Sequence, residues 1–135
     1  MTDPVRGPEP VRIPLRWRDL DNQGHVYNGV YLGLLDEART VWLRRTLGLA
    51  NPDEYVIARI EIDFLADLTL TPDGAAVDVD VQVTRVGSKS VTTAEVMRDG
   101  DGREVARAVC VLLLWDRTSR QTRPLTAAER ELLGH

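Results

Sequence analysis

The sequence predicts an α+β domain in which one long helix lies against a mainly antiparallel sheet. Three observations predict it. Tyr31, Leu34, Leu35, Ala38, Val41 and Trp42 recur at helical spacing. Val77, Val79, Val81 and Val83 alternate with Asp78, Asp80, Gln82 and Thr84, the period of a strand with one buried face. From residue 56 onward strand-like runs follow one another with only turn residues between them, which suits hairpins and not helical crossovers.

At 135 residues, with 43% hydrophobic and 28% charged side chains, the chain is long enough for one proper core and ordinary in composition for a globular protein. The formal charge of −4 argues against a nucleic-acid binder, which would carry a basic face. The single cysteine, Cys110, has no partner for an internal disulfide and sits in an apolar run, where an inert buried thiol is expected. There is no signal-peptide core and no apolar run of membrane-spanning length, so a cytoplasmic protein with no membrane partner is expected. Residues 1–10 are polar and proline-rich and read as a flexible lead-in, leaving 11–135 as a single domain.

In order, residues 11–18 alternate, with Val11, Ile13, Leu15 and Trp17 on one side and Arg12, Arg16 and Arg18 on the other. Pro14 inside this run favours an edge strand or a bulge. Residues 19–27 break the period with Asp, Asn and Gly and form a loop. Asn28 reads as the N-cap of the helix, Gly33 as a point of close backbone approach within it, and Gly48 as its stop. In residues 56–65, Ile60, Ile62 and Phe64 are expected inward, with Glu61 and Asp63 outward. Pro72-Asp73-Gly74 is a turn, and residues 87–90 turn into a strand over 91–98. Asp99-Gly100-Asp101-Gly102 is a hairpin turn. Residues 104–115 become apolar on both faces from Val109 onward, as in a strand covered on both sides. Thr126-Ala127-Ala128-Glu129 is a capping box that opens a short last helix. A single helix covers only part of such a sheet, so self-association through sheet edges or helix faces is expected.

The stretch before the helix carries the chemistry. It sets Asp21, the only internal histidine (His25) and a helix N-terminus within a few residues of one another. A carboxylate can activate water or attack directly, while the unpaired N–H groups at the positive end of a helix can hold an oxyanion. This suits attack on a polarised carbonyl, with Asp21 as base or nucleophile and the Asn28 and Gly29 N–H groups as donors. The bland alternative for Asp21 is a capping or loop aspartate. His25 either orients Asp21, bonds the substrate or shuttles a proton, or else ties the loop to backbone. Asp19 reads as structural, paired with Arg16 or Arg18. Metal-ligand spacing is missing and Ser88, Ser90 and Ser119 lack a nucleophile-elbow context, so neither a metal site nor a serine triad is expected.

Trp17-Arg18-Asp19-Leu20-Asp21, Gly24-His25-Val26, Asn28, Tyr31 and Glu37-Ala38-Arg39 together resemble the signature of hotdog-fold acyl-CoA thioesterases, in particular the 4-hydroxybenzoyl-CoA thioesterase-like branch. The stretch is also similar to plant acyl-carrier-protein thioesterases. The resemblance implies a hotdog fold: a long helix wrapped by an antiparallel sheet of about five strands, assembled as a homodimer or a dimer of dimers with active sites at subunit interfaces. It implies that Asp21 is the catalytic carboxylate, that the N–H at Asn28 polarises the thioester carbonyl and that His25 assists. Gln23 stands where plant enzymes have an asparagine, and Tyr27 where many relatives have one, so both enter as substrate-binding candidates beside Tyr31. The substrate it implies is an acyl-CoA, or alternatively an acyl-carrier protein, with no cofactor beyond the coenzyme A of the substrate. Coenzyme A phosphates need cations or N–H donors. Arg85, Lys89 and Ser90 lie where relatives place basic residues for the nucleotide, and Arg59 is a further candidate. The same residues read without the family are a solvated hairpin end. Tyr31, Leu34, Leu35, Ile57 and Phe64 either line an acyl pocket or form core, core being the expectation for Leu34 and Leu35. Glu37 and Arg39 read as exposed helix charges or as interface pairs. A non-catalytic hotdog module that binds acyl-CoA or acyl carrier is the alternative from another functional class.

Overall fold

A computed structural model of the chain describes residues 9–20, 24–49, 51–69 and 76–134. Strand β1 (Val11–Pro14) leads through a 3-10 turn (Trp17–Asp19) to helix α1 (Asn28–Leu47). Four long strands follow: β2 (Tyr55–Phe64), β3 (Ala76–Val86), β4 (Ser90–Arg98) and β5 (Glu104–Asp116). A two-residue β6 (Gln121–Thr122) and helix α2 (Ala127–Leu132) close the chain. Every strand pairing is antiparallel, in the order β1-β3-β4-β5-β2, with β6 added beside β5. This is the α+β, hotdog arrangement expected, with β6 as an addition too short to show in a periodicity.

Helix α1 buries Tyr31, Leu34, Leu35, Ala38, Arg39, Trp42 and Leu43, a stripe at helical spacing. It lies on the β1 and β3 side of the sheet. There it meets Val11 and Ile13 of β1 and Val77, Val79 and Val81 of β3, all buried in one core. Val91, Met97, Leu112 and Leu114 extend that core along β4 and β5. Gly48 ends the helix in the left-handed region at φ +69°, its N–H bonded to the Arg44 carbonyl at 3.0 Å. Thr126 and Glu129 form the predicted capping box of α2.

Three local expectations are corrected. Trp17 does not continue the inward side of β1. The strand ends at Pro14, the 3-10 turn breaks the alternation, and Trp17 is 82% exposed. Asn28 is the first helical residue and not the cap. Tyr27 holds that position, with no side-chain cap hydrogen bond. Gly33 has nothing within 4 Å of where a Cβ would stand, so no backbone among the described residues approaches it there. Ile60, Ile62 and Phe64 do share the inward face, opposite the buried Cys110, Ala108 and Ala106, but on the edge strand β2 Phe64 stays exposed and the two isoleucines half-buried. The turn expected at Pro72-Asp73-Gly74 lies outside the described residues.

Candidate active site

The N-terminus of α1 opens into a cleft of about 360 Å³ lined by His25, Val26, Tyr27, Asn28, Tyr31, Phe64, Leu65, Ala66 and Asp67. Backbone pairing builds it. Leu20 and Val26 form an antiparallel bridge, as do His25 and Thr69, and the Val26 N–H donates to the Leu68 carbonyl at 2.8 Å. Those contacts clamp the segment entering α1 onto the segment leaving β2. The second wall is tied to β5, since Leu65 N–H and Ala66 N–H both donate to the Val105 carbonyl.

The helix end is prepared for a negative charge. The first N–H groups of an α-helix have no intrahelical partner and carry the positive end of its dipole. Val30 N–H is satisfied by the Tyr27 carbonyl at 2.9 Å. Asn28 and Gly29 precede it, with neither a side-chain cap nor an acidic residue in the first turn of this 20-residue helix. Gly29 has a steric reason: a Cβ there would stand 2.8 Å from Tyr27 Cε1. The absence of that methyl leaves the Tyr27 ring beside the cleft.

Tyr31 spans the floor. Its hydroxyl donates to the Ala66 carbonyl at 3.1 Å, and its ring meets Phe64 edge-on, centroids 5.3 Å apart at 70°. Burial is the main reason its phenol is held above the ordinary tyrosine range, so it is protonated at neutral pH. His25 Nδ1 lies 3.8 Å from Asp67 Oδ2 at the mouth. The sequence offers Asp21 as the acidic partner of the imidazole; among the described residues the structure supplies Asp67.

Of the predicted site residues, His25, Tyr27, Asn28 and Tyr31 line this cleft, with Gly29 in the turn behind them. Asp21 and Gln23 lie outside the described residues. Arg59, Arg85, Lys89 and Ser90 are elsewhere. Ser90 pairs with Leu113 while Phe64 pairs with Ala106, so seven residues of β5 separate the two rows, about 23 Å at strand spacing. Arg85 and Lys89 are exposed at that far end, and Arg59 is ion-paired with Glu61 in the middle of β2. Leu34 and Leu35 are fully buried core and Ile57 is remote from the cleft, so of the acyl-pocket candidates Tyr31 and Phe64 remain.

Sequence reasoning missed Leu65, Ala66 and Asp67. They follow the last strand-period residue, and long-range contacts bring them to the helix: Val26 with Leu68, His25 with Thr69 and Tyr31 with Ala66. It also placed Arg39 on the surface or at an interface. Arg39 is instead buried against Glu95 of β4, while Glu37 pairs with Arg16 across the surface. Asp19 is structural as expected: buried, and accepting from Arg16 N–H at 2.7 Å. Cys110 is buried, which raises its thiol to about 11 and makes it unreactive at neutral pH. Among the described residues no three metal-ligating side chains cluster, and no helix is long and apolar enough to cross a membrane.

Comparison with known proteins agrees with this geometry. A thioesterase from Thermus thermophilus, solved in complex with coenzyme A and zinc, is similar at 30% identity over 96% of this chain and 100% of its own, with a TM-score of 0.79. A thioesterase superfamily protein from Jannaschia sp. CCS1 superposes with a TM-score of 0.80 at 20% identity, covering 96% of this chain and 83% of its own. A 1,4-dihydroxy-2-naphthoyl-CoA thioesterase from Synechocystis does so with a TM-score of 0.74 at 17% identity, covering 93% and 95%. At such identities the last two show the shared fold alone. No protein of curated function matches in sequence. The family model of the thioesterase-like superfamily matches residues 15–132. This chain belongs to the thioesterase-like superfamily and is a thioester hydrolase.

Proposed function

We propose that the protein hydrolyses acyl-CoA thioesters to a free acid and coenzyme A. The observation that carries this reading is the N-terminus of α1, with no side-chain cap among the described residues, opening into a cleft with an aromatic floor. A thioester carbonyl seated there has its oxygen toward the Asn28 and Gly29 N–H groups. As water adds to the carbonyl carbon, charge develops on that oxygen, and fixed N–H dipoles favour the charged state over the neutral carbonyl. Asp21 takes the proton from the attacking water, or alternatively attacks as a carboxylate and is released by water in a second step. Collapse of the tetrahedral species expels the coenzyme A sulfur as thiolate, which leaves with a proton. Asp21 is bonded to Leu20, whose backbone bridges to Val26 in the cleft wall, and this supports its reach. His25 serves at the mouth, with Gln23, Tyr27 and Tyr31 as substrate contacts. Coenzyme A enters as part of the substrate and no separate cofactor is used. The similarity to a thioesterase solved with coenzyme A supports coenzyme A over a carrier protein.

The working unit in this reading is a homodimer joined through β2, the ten-residue edge strand. Antiparallel pairing of two β2 strands sets the Phe64 end of one against the Tyr55 end of the other. The Tyr55 end is the row that also carries Leu114, next to the 87–90 hairpin. A second copy's Arg85, Lys89 and Ser90 then stand beside the cleft for the nucleotide phosphates, with Arg59 along the seam. We place the protein in the cytoplasm.

The test is thiol release from acyl-CoAs of graded chain length and from aryl-CoAs, by wild type and Asp21→Asn. Wild-type turnover with loss of at least about 10² in kcat for the folded variant is the expected result. Full turnover by Asp21→Asn overturns the assignment of the carboxylate. Binding of acyl-CoA with no release of thiol from any substrate would make the protein a silent acyl-CoA module.

A further inference from the structure

Asp67 stands at the mouth of the cleft on backbone that is fixed from several sides. Its carbonyl accepts from Arg103 Nη2 at 2.8 Å, and Arg103 Nε donates to Asp99 Oδ2 at 3.1 Å, so the β4–β5 hairpin braces it. On one flank the Ala66 N–H donates to the Val105 carbonyl, and the Ala66 carbonyl accepts from the Tyr31 hydroxyl. On the other flank the Leu68 carbonyl accepts from the Val26 N–H, and Thr69 bridges to His25. That bridge also fixes the backbone of His25. Imidazole and carboxylate therefore face each other from two paired segments, with 3.8 Å between Nδ1 and Oδ2. We propose that Asp67 is a positioning residue for His25. Its carboxylate accepts from Nδ1–H, fixes the tautomer whose lone pair is on Nε2, and turns that nitrogen into the cleft.

Donor chemistry decides which nitrogen does what. An ionised carboxylate only accepts, so Asp67 is satisfied at Nδ1 only when that nitrogen carries the proton. A neutral imidazole protonated there has an acceptor at Nε2, on the opposite side of the ring. At 3.8 Å the pair is in ion-pair range and longer than a direct hydrogen bond. Bonds of this kind tighten in the substrate complex, and acyl-CoA across the mouth displaces the water that screens the two groups. The side chains are 46% and 78% exposed, so the contact adds little to stability. What it fixes is orientation. The consequence for turnover rests on the acyl-CoA hydrolase reading. There the attacking water gives one hydrogen bond to Asp21 and the other to His25 Nε2. Water held by two acceptors has a lone pair directed at the carbonyl carbon, and that alignment lowers the barrier. No bond to the ring forms or breaks; the ring has only to be the right way round.

The test uses the full-length chain and two readouts. Long-range nitrogen–proton NMR of histidine-labelled protein reads the tautomer without any substrate. The chain has two histidines, His25 and His135, and His25→Ala identifies the signals. At alkaline pH, with the rings uncharged, wild-type His25 is expected mainly as the Nδ1–H form. Asp67→Ala is expected to move it toward Nε2–H with Tm unchanged, and Asp67→Glu to retain Nδ1–H. In thiol-release kinetics Asp67→Ala is expected to lower kcat about tenfold with KM held, and Asp67→Glu to recover most of that loss. In the His25→Ala background the same Asp67→Ala change is expected to alter kcat less than about twofold, because the carboxylate acts through the ring. A wild-type Nε2–H form, or a tautomer unmoved by Asp67→Ala, overturns the proposal. A tautomer that follows Asp21→Asn instead assigns Nδ1 to Asp21 and also overturns it, as do additive losses in the kinetic cycle. The expected tautomers in a protein that releases thiol from no thioester would sink the hydrolase reading and leave the Asp67 clamp standing.

Discussion

Arg39 and Glu95 meet as a bidentate ion pair in the core, Nη2 to Oε1 at 2.6 Å and Nε to Oε2 at 2.9 Å, each residue 1% exposed. The pair ties the middle of α1 to β4. Thr93 donates to the same carboxylate at 2.8 Å, and Asp36 approaches the outer guanidinium nitrogen at 3.4 Å. Burial opposes the charge on Arg39, but the bonds to Glu95 outweigh it and hold the guanidinium above its ordinary value.

Removing one member leaves the other charged and buried, which costs about 3–5 kcal/mol. Arg39→Met and Glu95→Leu are each expected to lower stability by that order in denaturant unfolding. The double variant is expected to recover most of the loss, since apolar replacement of a buried pair is often neutral. A double variant as unstable as the sum of the singles would show that the pair does more than neutralise itself.

Gly29→Ala separates catalysis from stability. Helix propensity alone favours Ala over Gly by roughly 1 kcal/mol, so the folded state should not suffer. The new Cβ collides with the Tyr27 ring at 2.8 Å, and the ring must move relative to the cleft it lines. The expected outcome is an unchanged or higher Tm with kcat/KM reduced about tenfold. An equal fall in Tm would locate the effect in the helix and not in the cleft.

How far the site was legible follows from the same residues. The valines of β3 and the stripe from Tyr31 to Trp42 announce themselves because burial on one face imposes a period. Arg39 breaks that inference. It sits on the buried stripe, but its charge reads as solvent-facing until Glu95 is placed opposite, 56 residues away. Asn28 is a good cap by residue type, yet the chain places Tyr27 in the cap position, and the Tyr27 side chain makes no cap hydrogen bond. Asp67 carries no local signal, since its place depends on the Val26 to Leu68 hydrogen bond between distant segments. Position 21 was legible only through its motif, which names the chemistry without its geometry.

The C-terminal clasp makes stability depend on pH. Glu129 accepts from Arg123 at 2.8 and 2.9 Å and from Thr126 N–H at 2.9 Å, and Arg130 bonds the Gly87 carbonyl of the β3–β4 hairpin. The bond to Arg123 is the main cause that holds the Glu129 carboxyl below its ordinary value, with burial opposing. A depressed carboxyl contributes fully above the ordinary glutamate range, and its contribution is lost as pH falls through the native value. Glu129→Gln is therefore expected to be less stable at pH 7 by about 1 kcal/mol. Measured from pH 7 to pH 3, the gap from wild type should narrow as wild-type Glu129 takes up its proton. A gap that widens toward low pH would contradict this sign.

Tyr31→Phe tests whether the phenol acts on the substrate or on the wall. The ring packs on Phe64 and is retained by the substitution, so only the hydrogen bond to the Ala66 carbonyl is lost. That bond fixes the carbonyl side of a wall whose N–H side is already held by Val105. A neutral hydrogen bond is worth about 1 kcal/mol, and Ala66 is only half-buried, so water can take the vacated carbonyl. The expected variant loses about 1 kcal/mol of stability, and its KM rises several-fold as the wall loosens, with kcat nearly unchanged. If the hydroxyl instead donates to the developing oxyanion, kcat falls by about 10² while KM holds, because such a bond is made only in the transition state. Steady-state kinetics on one acyl-CoA substrate, set beside the melting temperature, decides between them.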